Sequence, residues 1–269
     1  MISTPPFTER FATLAQNYDV VLSDVWGVIH NGIAATPAAC DALTRFREKG
    51  GTVILITNAP RPAETIAAHL EGMGCDAGIS DAIVTSGDVT RSLIRHHAGR
   101  GIFHLGPPRD LVLLDGIDVA RVALAEASAI LCTGLFNDLK ETPDDYRGLL
   151  AEAKGLGLPM ICANPDLIVE RGDIMIYCAG ALAQAYQDLG GVAYYAGKPH
   201  PPIYDEAQRV AAGLLGQNYI EKSEILAIGD AFMTDVAGAA APGDAGHGII
   251  AGVPQSDRER PVGNIDPGP

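Results

Sequence analysis

The chain is poor in positive charge, and this shortage narrows its range of partners. Its 269 residues include 19 Lys and Arg against 33 Asp and Glu, a formal net charge of −14. Nucleic acids and anionic membrane surfaces are bound by clustered cations, so the sequence argues against both as partners. A phosphorylated ligand would need local positive charge from a metal or from a few well-placed cations.

Cysteine pairs and long apolar runs are also missing. The five cysteines stand singly, with no CxxC and no Cys/His spacing typical of a metal site. An odd number of scattered thiols fits a reducing compartment. The N-terminus has no basic stretch followed by an apolar one, and no apolar run reaches the ~18 residues of a membrane span. We therefore expect a cytoplasmic protein without a signal peptide.

What the chain does contain is an alternation of apolar strands and amphipathic helices. The segments DVVLSD, TVILITN and EILAIGD have the pattern of buried strands, whereas TPAACDALTRFREKG and PPIYDEAQRVAAGLLG have that of helices. This alternation favours an α/β fold with a parallel sheet covered on both faces. Residues from about 101 to about 190 repeat the pattern, and the sequence leaves open whether they continue that sheet or form a separate α/β domain. The polar, Pro- and Gly-rich residues 254–269 predict a flexible tail.

Polar side chains stand at the ends of the predicted strands. Asp24 ends the first strand, Thr57 and Asn58 end the second, and Asp230 ends a later one. Lys198, in GKPHP, stands just before a predicted helix. Ligands of open parallel sheets bind where the carboxyl ends of the strands meet, so we expect these side chains to converge.

The convergence points to phosphate and metal chemistry. Asp24 and Asp230 would repel each other if both were ionised, and a divalent cation between them removes that repulsion. Ligands that are all oxygen favour Mg²⁺, and Asp235 adds a third carboxylate nearby in the sequence. Lys198 and the Thr57 hydroxyl are residue types that hold and neutralise a phosphoryl group. A carboxylate can also attack phosphorus and form an aspartyl-phosphate.

The ordered set DVWGV, TN, GKPHP and GDAFMTD resembles the four motifs of the haloacid dehalogenase (HAD) superfamily of phosphatases. The long stretch between TN and GKP is similar to that of class IIA members, such as the NagD-type phosphatases, which carry a large inserted cap. The resemblance implies a HAD-like Rossmannoid core of residues 1–100 and 191–269, with a C2-type α/β cap at residues 101–190. It also implies a Mg²⁺-dependent phosphomonoesterase for a small organic phosphate, such as a sugar phosphate or a nucleotide. Caps in this group often contribute to dimers, so a homodimer through the cap is a further hypothesis.

Position by position, the resemblance assigns the phosphoryl chemistry to four residues. It implies that Asp24 is the nucleophile and that Lys198 neutralises both the nucleophile and the phosphate. It also implies that Thr57 and the Asn58 amide hold a phosphoryl oxygen.

The resemblance further implies a metal site, in which one position departs from the family pattern. The implied ligands are the carboxylates of Asp24 and Asp230 and the main-chain carbonyl of Trp26, with Asp235 supporting the metal shell. HAD phosphatases usually carry an acid where Trp26 stands, and an indole does not titrate. General acid–base catalysis is worth roughly 10²–10⁴-fold, so its loss should slow poor leaving groups most.

The missing acid leaves three interpretations open. His30 lies in the same loop and has an ordinary pKa near ~6.5, so it is a candidate acid–base group, although a structural loop histidine is the plainer interpretation. A phosphohydrolase is favoured over a phosphate-binding relative with weak or no turnover. A metal-free dehalogenase is disfavoured, because a metal-free site gains nothing from the clustered acids of GDAFMTD.

Three residues are weaker candidates for substrate binding. Arg61 could meet the substrate phosphate or face solvent, and the sequence favours neither. Asn164 and Asp166 could contact substrate from the cap or simply form the turn that NPD favours. Five other histidines show no metal-ligand spacing and are interpreted as surface or loop residues: His96, His97, His104, His200 and His247.

Overall fold

The first sheet carries the strands whose ends the sequence marks as functional. A computed structural model of the protein describes residues 11–171, 174–239 and 247–250. The strands of this sheet are β1 (Val20–Asp24), β2 (Thr52–Thr57), β3 (Ala82–Thr85), β11 (Ile225–Gly229) and β12 (His247–Ile250). Their order is β12-β11-β1-β2-β3, and every neighbouring pair is parallel. The carboxyl ends of β1, β2 and β11 therefore meet at one edge.

The middle of the chain forms a second sheet and does not continue the first. Its strands are β4 (Gly101–Leu105), β5 (Ala120–Arg121), β6 (Ala129–Cys132), β7 (Met160–Cys162) and β10 (Ala193–Tyr195). They are parallel, in the order β10-β7-β6-β4-β5. The antiparallel hairpin of β8 (Ile168–Arg171) and β9 (Ile174–Tyr177) follows β7. The domain boundaries at residues 100 and 190 stay a prediction, and β10 lies beyond residue 190.

Eight α-helices lie in the described part of the chain. The ones that flank strands of the first sheet in sequence are α1 (Phe11–Ala15), α2 (Pro37–Glu48), α3 (Ala63–Gly72), α4 (Ser86–Arg95), α7 (Pro201–Leu214) and α8 (Ala237–Ala239). The other two are α5 (Arg147–Gly155) and α6 (Ala179–Asp188). Both α2 and α7 begin at a proline, whose fixed φ and missing N–H suit the first helical position.

Helices cover both faces of the first sheet, which explains why its strands are apolar throughout. Val21 and Val53 are buried in one cluster that includes residues of α2 and α3. Val20 and Ile54 point to the other face and are buried with residues of α7. Successive side chains of a strand alternate between faces, so a sheet covered on both sides needs an apolar residue at each position.

Two findings concern the sequence-based expectations about cysteine pairing and membrane spans. All five cysteines are free thiols. None of the helices in the described residues is long and apolar enough to cross a membrane. The predicted tail at residues 254–269 lies outside the described residues.

Candidate active site

Three ionisable side chains meet in a buried cluster at the carboxyl edge of the first sheet. Asp24 is the last residue of β1, Lys198 lies between β10 and α7, and Asp235 lies in a π-helical segment after β11. The Nζ atom of Lys198 is 2.6 Å from Oδ1 of Asp24 and 2.6 Å from Oδ1 of Asp235. All three residues are buried. We call this group the acid–lysine cluster, and when fully ionised it carries one excess negative charge.

Burial and mutual attraction set the proton affinities in the acid–lysine cluster. Burial raises the pKa of Asp24 to about 7, with Lys198 opposing the rise and Asp235 adding to it. Burial also disfavours the ammonium group, yet the two carboxylates outweigh it and hold the pKa of Lys198 above its ordinary value. Lys198 is therefore a permanent cation beside Asp24, and it favours the ionised form that a nucleophile needs.

A third carboxylate completes a set of oxygen atoms suited to a metal ion. Ligand atoms of Asp24, Asp230 and Asp235 all lie within 4.8 Å of one another. Gly27 makes room for this set, since a Cβ at that position would stand only 2.2 Å from Oδ2 of Asp230. An all-oxygen set with excess negative charge fits a hard divalent cation such as Mg²⁺. The carbonyl of Trp26 as a further ligand stays a prediction.

Gly27→Ala is expected to weaken Mg²⁺ binding, because the new methyl group would displace the Asp230 carboxylate. We expect the Mg²⁺ concentration that half-saturates thermal stabilisation to rise about 10- to 100-fold. Gly50→Ala is the matched control: φ is +93° there against +84° at Gly27, but no atom lies within 4 Å of the added Cβ. If both variants change Mg²⁺ affinity equally, backbone strain and not the Asp230 contact explains the effect.

Thr57 and Asn58 lie beside the acid–lysine cluster, at the end of β2, and both are buried. The Thr57 hydroxyl accepts a hydrogen bond from the Ala59 N–H at 3.2 Å. The Asn58 carboxamide holds the main chain of Lys198: its Oδ1 accepts from the Lys198 N–H at 2.7 Å, and its Nδ2 donates to the Lys198 carbonyl at 3.0 Å. This positioning role was not predicted, and the predicted phosphoryl contacts of both residues stay predictions.

Comparisons with known proteins identify the family of this chain. A family model described as haloacid dehalogenase-like hydrolase matches residues 21–120, and a second, described as HAD-hydrolase-like, matches residues 195–262. A crystal structure of a haloacid dehalogenase-like family hydrolase from Brucella suis 1330 is 49% identical, with a TM-score of 0.84, and covers 88% of this chain and 87% of that one. The chain belongs to the haloacid dehalogenase-like hydrolase family. The predicted family membership and parallel-sheet α/β fold are confirmed.

Two curated relatives within the HAD family are named as phosphatases. A D-glycerol 3-phosphate phosphatase of Mycobacterium tuberculosis is 29% identical over 90% of this chain. The ribonucleotide monophosphatase NagD of Escherichia coli K12 is 23% identical over 80% of this chain. The chain spans 65% of the length of the mycobacterial relative and 81% of that of NagD. The predicted similarity to NagD-like HAD proteins is confirmed.

Trp26, at the position where HAD phosphatases usually carry an acid, packs on its own loop. Its ring meets that of His30 edge to face, with centroids 5.1 Å apart. The ring also packs against Gly32, where an added Cβ would lie only 2.5 Å from it. Trp26 is 36% exposed, and its indole supplies no titrating group.

His30, the predicted acid–base candidate, is buried beneath this indole. Its Nδ1 accepts a hydrogen bond from the Gly32 N–H at 2.9 Å, and its ring also faces His69. Burial, and then the neighbouring His69, lower its pKa. Within the described residues, no hydrogen bond or ring contact joins His30 to Asp24 or Lys198. Its proposed catalytic role therefore stays a prediction without a structural contact in its favour.

The three weaker candidates for substrate binding lie in two different parts of the structure. Arg61 is partly exposed, with its Nε 3.9 Å from Oδ1 of the buried Asp110. Asn164 and Asp166 follow β7, and Oδ1 of Asn164 accepts a hydrogen bond from the Asp166 N–H at 3.0 Å, as in the predicted turn. Asp166 also reaches the first sheet, where its Oδ1 accepts a hydrogen bond from Asn58 at 2.9 Å. Substrate contacts of all three remain predictions.

Sequence reasoning missed two glycines that shape the site, and it misjudged one histidine. A Cβ at Gly197 would lie 2.4 Å from Oδ1 of Asn58, and one at Gly229 would lie 2.1 Å from Cγ of Asp235. The dipeptides GK and GD in the motifs were the available signal. His104 is buried on β4, where burial lowers its pKa to about 4, so the prediction of a surface or loop residue was wrong.

Proposed function

We propose that this HAD-family hydrolase is a divalent-metal-dependent phosphomonoesterase with Asp24 as its nucleophile and Mg²⁺ as its metal. The observation that carries the proposal is the buried contact of the Lys198 ammonium with both Asp24 and Asp235, beside the third acid Asp230. Burying two acids and a cation away from water costs folding free energy, and the need to bind a charged ligand would explain why the protein keeps them. The phosphatase names of the relatives support small organic phosphates, such as glycerol phosphate or a ribonucleotide, as substrates.

The chemistry assigns a distinct task to each side chain. A carboxylate oxygen of Asp24 attacks phosphorus, and the bond from phosphorus to the leaving oxygen breaks. Water then attacks the same phosphorus, the bond to Asp24 breaks, and inorganic phosphate leaves. Lys198 and the Thr57 hydroxyl stabilise the charge on the phosphoryl oxygens. A divalent cation, when bound by Asp24, Asp230 and Asp235, would supply the remaining positive charge.

Metal removal is the simplest test of this proposal. We expect the protein to release phosphate from 4-nitrophenyl phosphate, glycerol 3-phosphate and ribonucleotide monophosphates in Mg²⁺, and to lose this activity in EDTA. Adding excess Mg²⁺ should restore it, because the three carboxylates remain in place. Phosphate release that is equally fast in EDTA would contradict the proposed metal dependence.

A phosphate-binding relative with weak turnover is the second candidate, and Trp26 is the observation that favours it. Trp26→Asp is expected to raise turnover of glycerol 3-phosphate by roughly 10²–10⁴-fold, since it supplies the missing acid–base group. The gain should be smaller for 4-nitrophenyl phosphate, because its leaving group needs no proton and the added acid speeds only the hydrolysis of the aspartyl-phosphate. Trp26→Asn, which has the same size but no acid, is the control. An equal gain in both variants would show that removing the indole, not adding the acid, matters.

Two further parts of the proposal rest only on the family resemblance and on the cysteine pattern. One is a homodimer formed through the cap, and the other is a cytoplasmic location. Sedimentation velocity over a range of protein concentrations tests the first, since a monomer at all concentrations would rule out a stable dimer.

A further inference from the structure

We propose that Asp166, on the loop that follows β7, is a positioning residue that completes the active site from the second sheet. It fixes the orientation of the Asn58 carboxamide, which in turn holds the main chain of Lys198. This inference rests on the proposed function, in which the Lys198 ammonium neutralises Asp24 and the phosphoryl group. The segment between residues 101 and 190 would then take part in building the catalytic centre.

Hydrogen bonds of the Asn58 side chain and an ion pair of Lys198 link Asp166 to the nucleophile. Oδ1 of Asp166 accepts from Nδ2 of Asn58 at 2.9 Å. The same Asn58 side chain bonds both main-chain polar groups of Lys198, at 2.7 and 3.0 Å. The Lys198 ammonium then reaches Asp24 at 2.6 Å. The three hydrogen bonds of Asn58 lie within the normal range of N···O distances.

The carboxylate of Asp166 selects one of two orientations that a carboxamide can adopt. The oxygen and nitrogen ends of Asn58 exchange places when the group rotates by half a turn. In the flipped form the Asn58 oxygen would face the Asp166 carboxylate, and two acceptors would oppose each other. The Asn58 nitrogen would then face the Lys198 N–H, so two donors would also oppose each other. An acceptor at residue 166 therefore keeps Asn58 in the orientation that binds Lys198.

The loop that carries Asp166 is closely fitted against the site. A Cβ at Gly180, on α6, would lie 2.1 Å from the Pro165 carbonyl oxygen. A Cβ at Gly197 would lie 2.7 Å from Cδ of Pro165 and 2.4 Å from Oδ1 of Asn58. Two glycines on separate segments thus allow the loop to approach Asn58. The Asp166 contact is part of a packed junction between the two sheets.

A proton-transfer role is the competing explanation for an acid at this place, because Trp26 leaves the site without one. Asp166 is partly buried, and burial raises its pKa. Its bond from Asn58 and the charge of Lys198 oppose the rise, whereas Asp235 and Asp230 add to it. Positioning needs only a hydrogen-bond acceptor, whereas proton transfer needs the carboxyl group itself. Asp166→Asn separates the two roles, since its carboxamide oxygen can still accept from Asn58.

The test compares Asp166→Ala, Asp166→Asn and a matched control, Asp188→Ala. Asp188 is exposed on α6 and accepts a bond from the Gln184 carboxamide at 2.9 Å, the same kind of contact at the same distance. The readouts in Mg²⁺ are kcat and KM over a pH series and the calorimetric affinity for inorganic phosphate. We expect Asp166→Ala to lower kcat and phosphate affinity about 10- to 100-fold. Asp166→Asn should stay within about threefold of wild type, with an unchanged pH profile, and Asp188→Ala should match wild type.

Two results would overturn the inference. One is wild-type turnover and phosphate affinity in Asp166→Ala. The other is an Asp166→Asn variant as impaired as Asp166→Ala, with one limb of the pH profile lost, which would assign Asp166 to proton transfer. Asp166→Ser, whose hydroxyl is too short to reach Asn58, replaces Asp166→Ala if that variant does not fold. If wild type hydrolyses no phosphomonoester, the proposed function fails, but the phosphate affinities still test the positioning role.

Discussion

Asp24→Asn is expected to reduce phosphate release by at least about 10⁴-fold, because the amide cannot form the covalent phosphoryl intermediate. The fold should survive the change. The oxygen of the substituted carboxamide can still accept from the Val25 N–H, which bonds Asp24 at 2.7 Å, and Lys198 keeps Asp235 as a partner. The measurement is steady-state phosphate release in Mg²⁺ from 4-nitrophenyl phosphate and glycerol 3-phosphate. Thermal unfolding of both proteins controls for stability.

Asp41→Asn is the matched control for this variant, because Asp41 is an exposed acid on α2 that forms an ion pair with Arg45. It should keep wild-type turnover. The intact mass of Asp24→Asn must be confirmed after purification, since hydrolysis of the new amide would regenerate the nucleophile. Turnover within tenfold of wild type in a verified Asp24→Asn sample would remove Asp24 from the nucleophile role.

Lys198→Met is expected both to abolish detectable turnover and to destabilise the protein by about 3–5 kcal/mol near pH 7.5 in EDTA. The substitution removes the cation that Asp24 and Asp235 share, and it leaves their carboxylates buried without a counter-charge. Urea unfolding of both proteins measures the difference in the free energy of unfolding. Saturating Mg²⁺ should restore part of the lost stability, because a bound cation would replace the missing charge.

The stability lost in Lys198→Met should also depend on pH in a defined direction. Burial raises the pKa of Asp24 to about 7 in wild type, although the charge of Lys198 opposes the rise. Without Lys198 this opposition is lost, and the pKa of Asp24 should rise further. Asp24 therefore takes up its proton at a higher pH in the folded variant than in folded wild type, so the deficit should shrink between pH 7.5 and pH 5.5. Lys154→Met, at an exposed position on α5, should show no deficit at either pH. A deficit in Lys198→Met below about 1 kcal/mol at pH 7.5 would contradict the buried-charge account.

Local sequence signals were sufficient to predict that three acids converge at one edge of the first sheet. The continuous apolar runs of β1, β2 and β11 identify buried parallel strands, and a polar residue ends or follows each of them. Parallel strands bring their carboxyl ends to the same edge, so the approach of Asp24 to Asp230 and Asp235 follows from the strand pattern. Residue type then suggested the chemistry, because a metal ion needs converging carboxylates and a phosphoryl group needs a nearby cation.

The parts that were missed depend on contacts between segments far apart in the chain. The orientation of the Asn58 carboxamide is set by Lys198 and by Asp166, and no local pattern encodes it. The antiparallel pair β8–β9 was also missed, although its two strands are rich in β-branched and aromatic side chains. His104 was misjudged because a single polar residue in an apolar run does not reveal that Thr133 bonds it inside the protein.

Trapping the covalent intermediate is the most direct test of whether Asp24 is the nucleophile. Protein turning over 4-nitrophenyl phosphate in Mg²⁺ is quenched in acid, digested and examined by peptide mass spectrometry. We expect one added phosphoryl group on Asp24, and we expect it to accumulate, because Trp26 supplies no base to activate water for the second step. We also expect Trp26→Asp to lower the trapped fraction. Turnover without a phosphorylated peptide in either protein, or with the phosphoryl group on another residue, would contradict this role of Asp24.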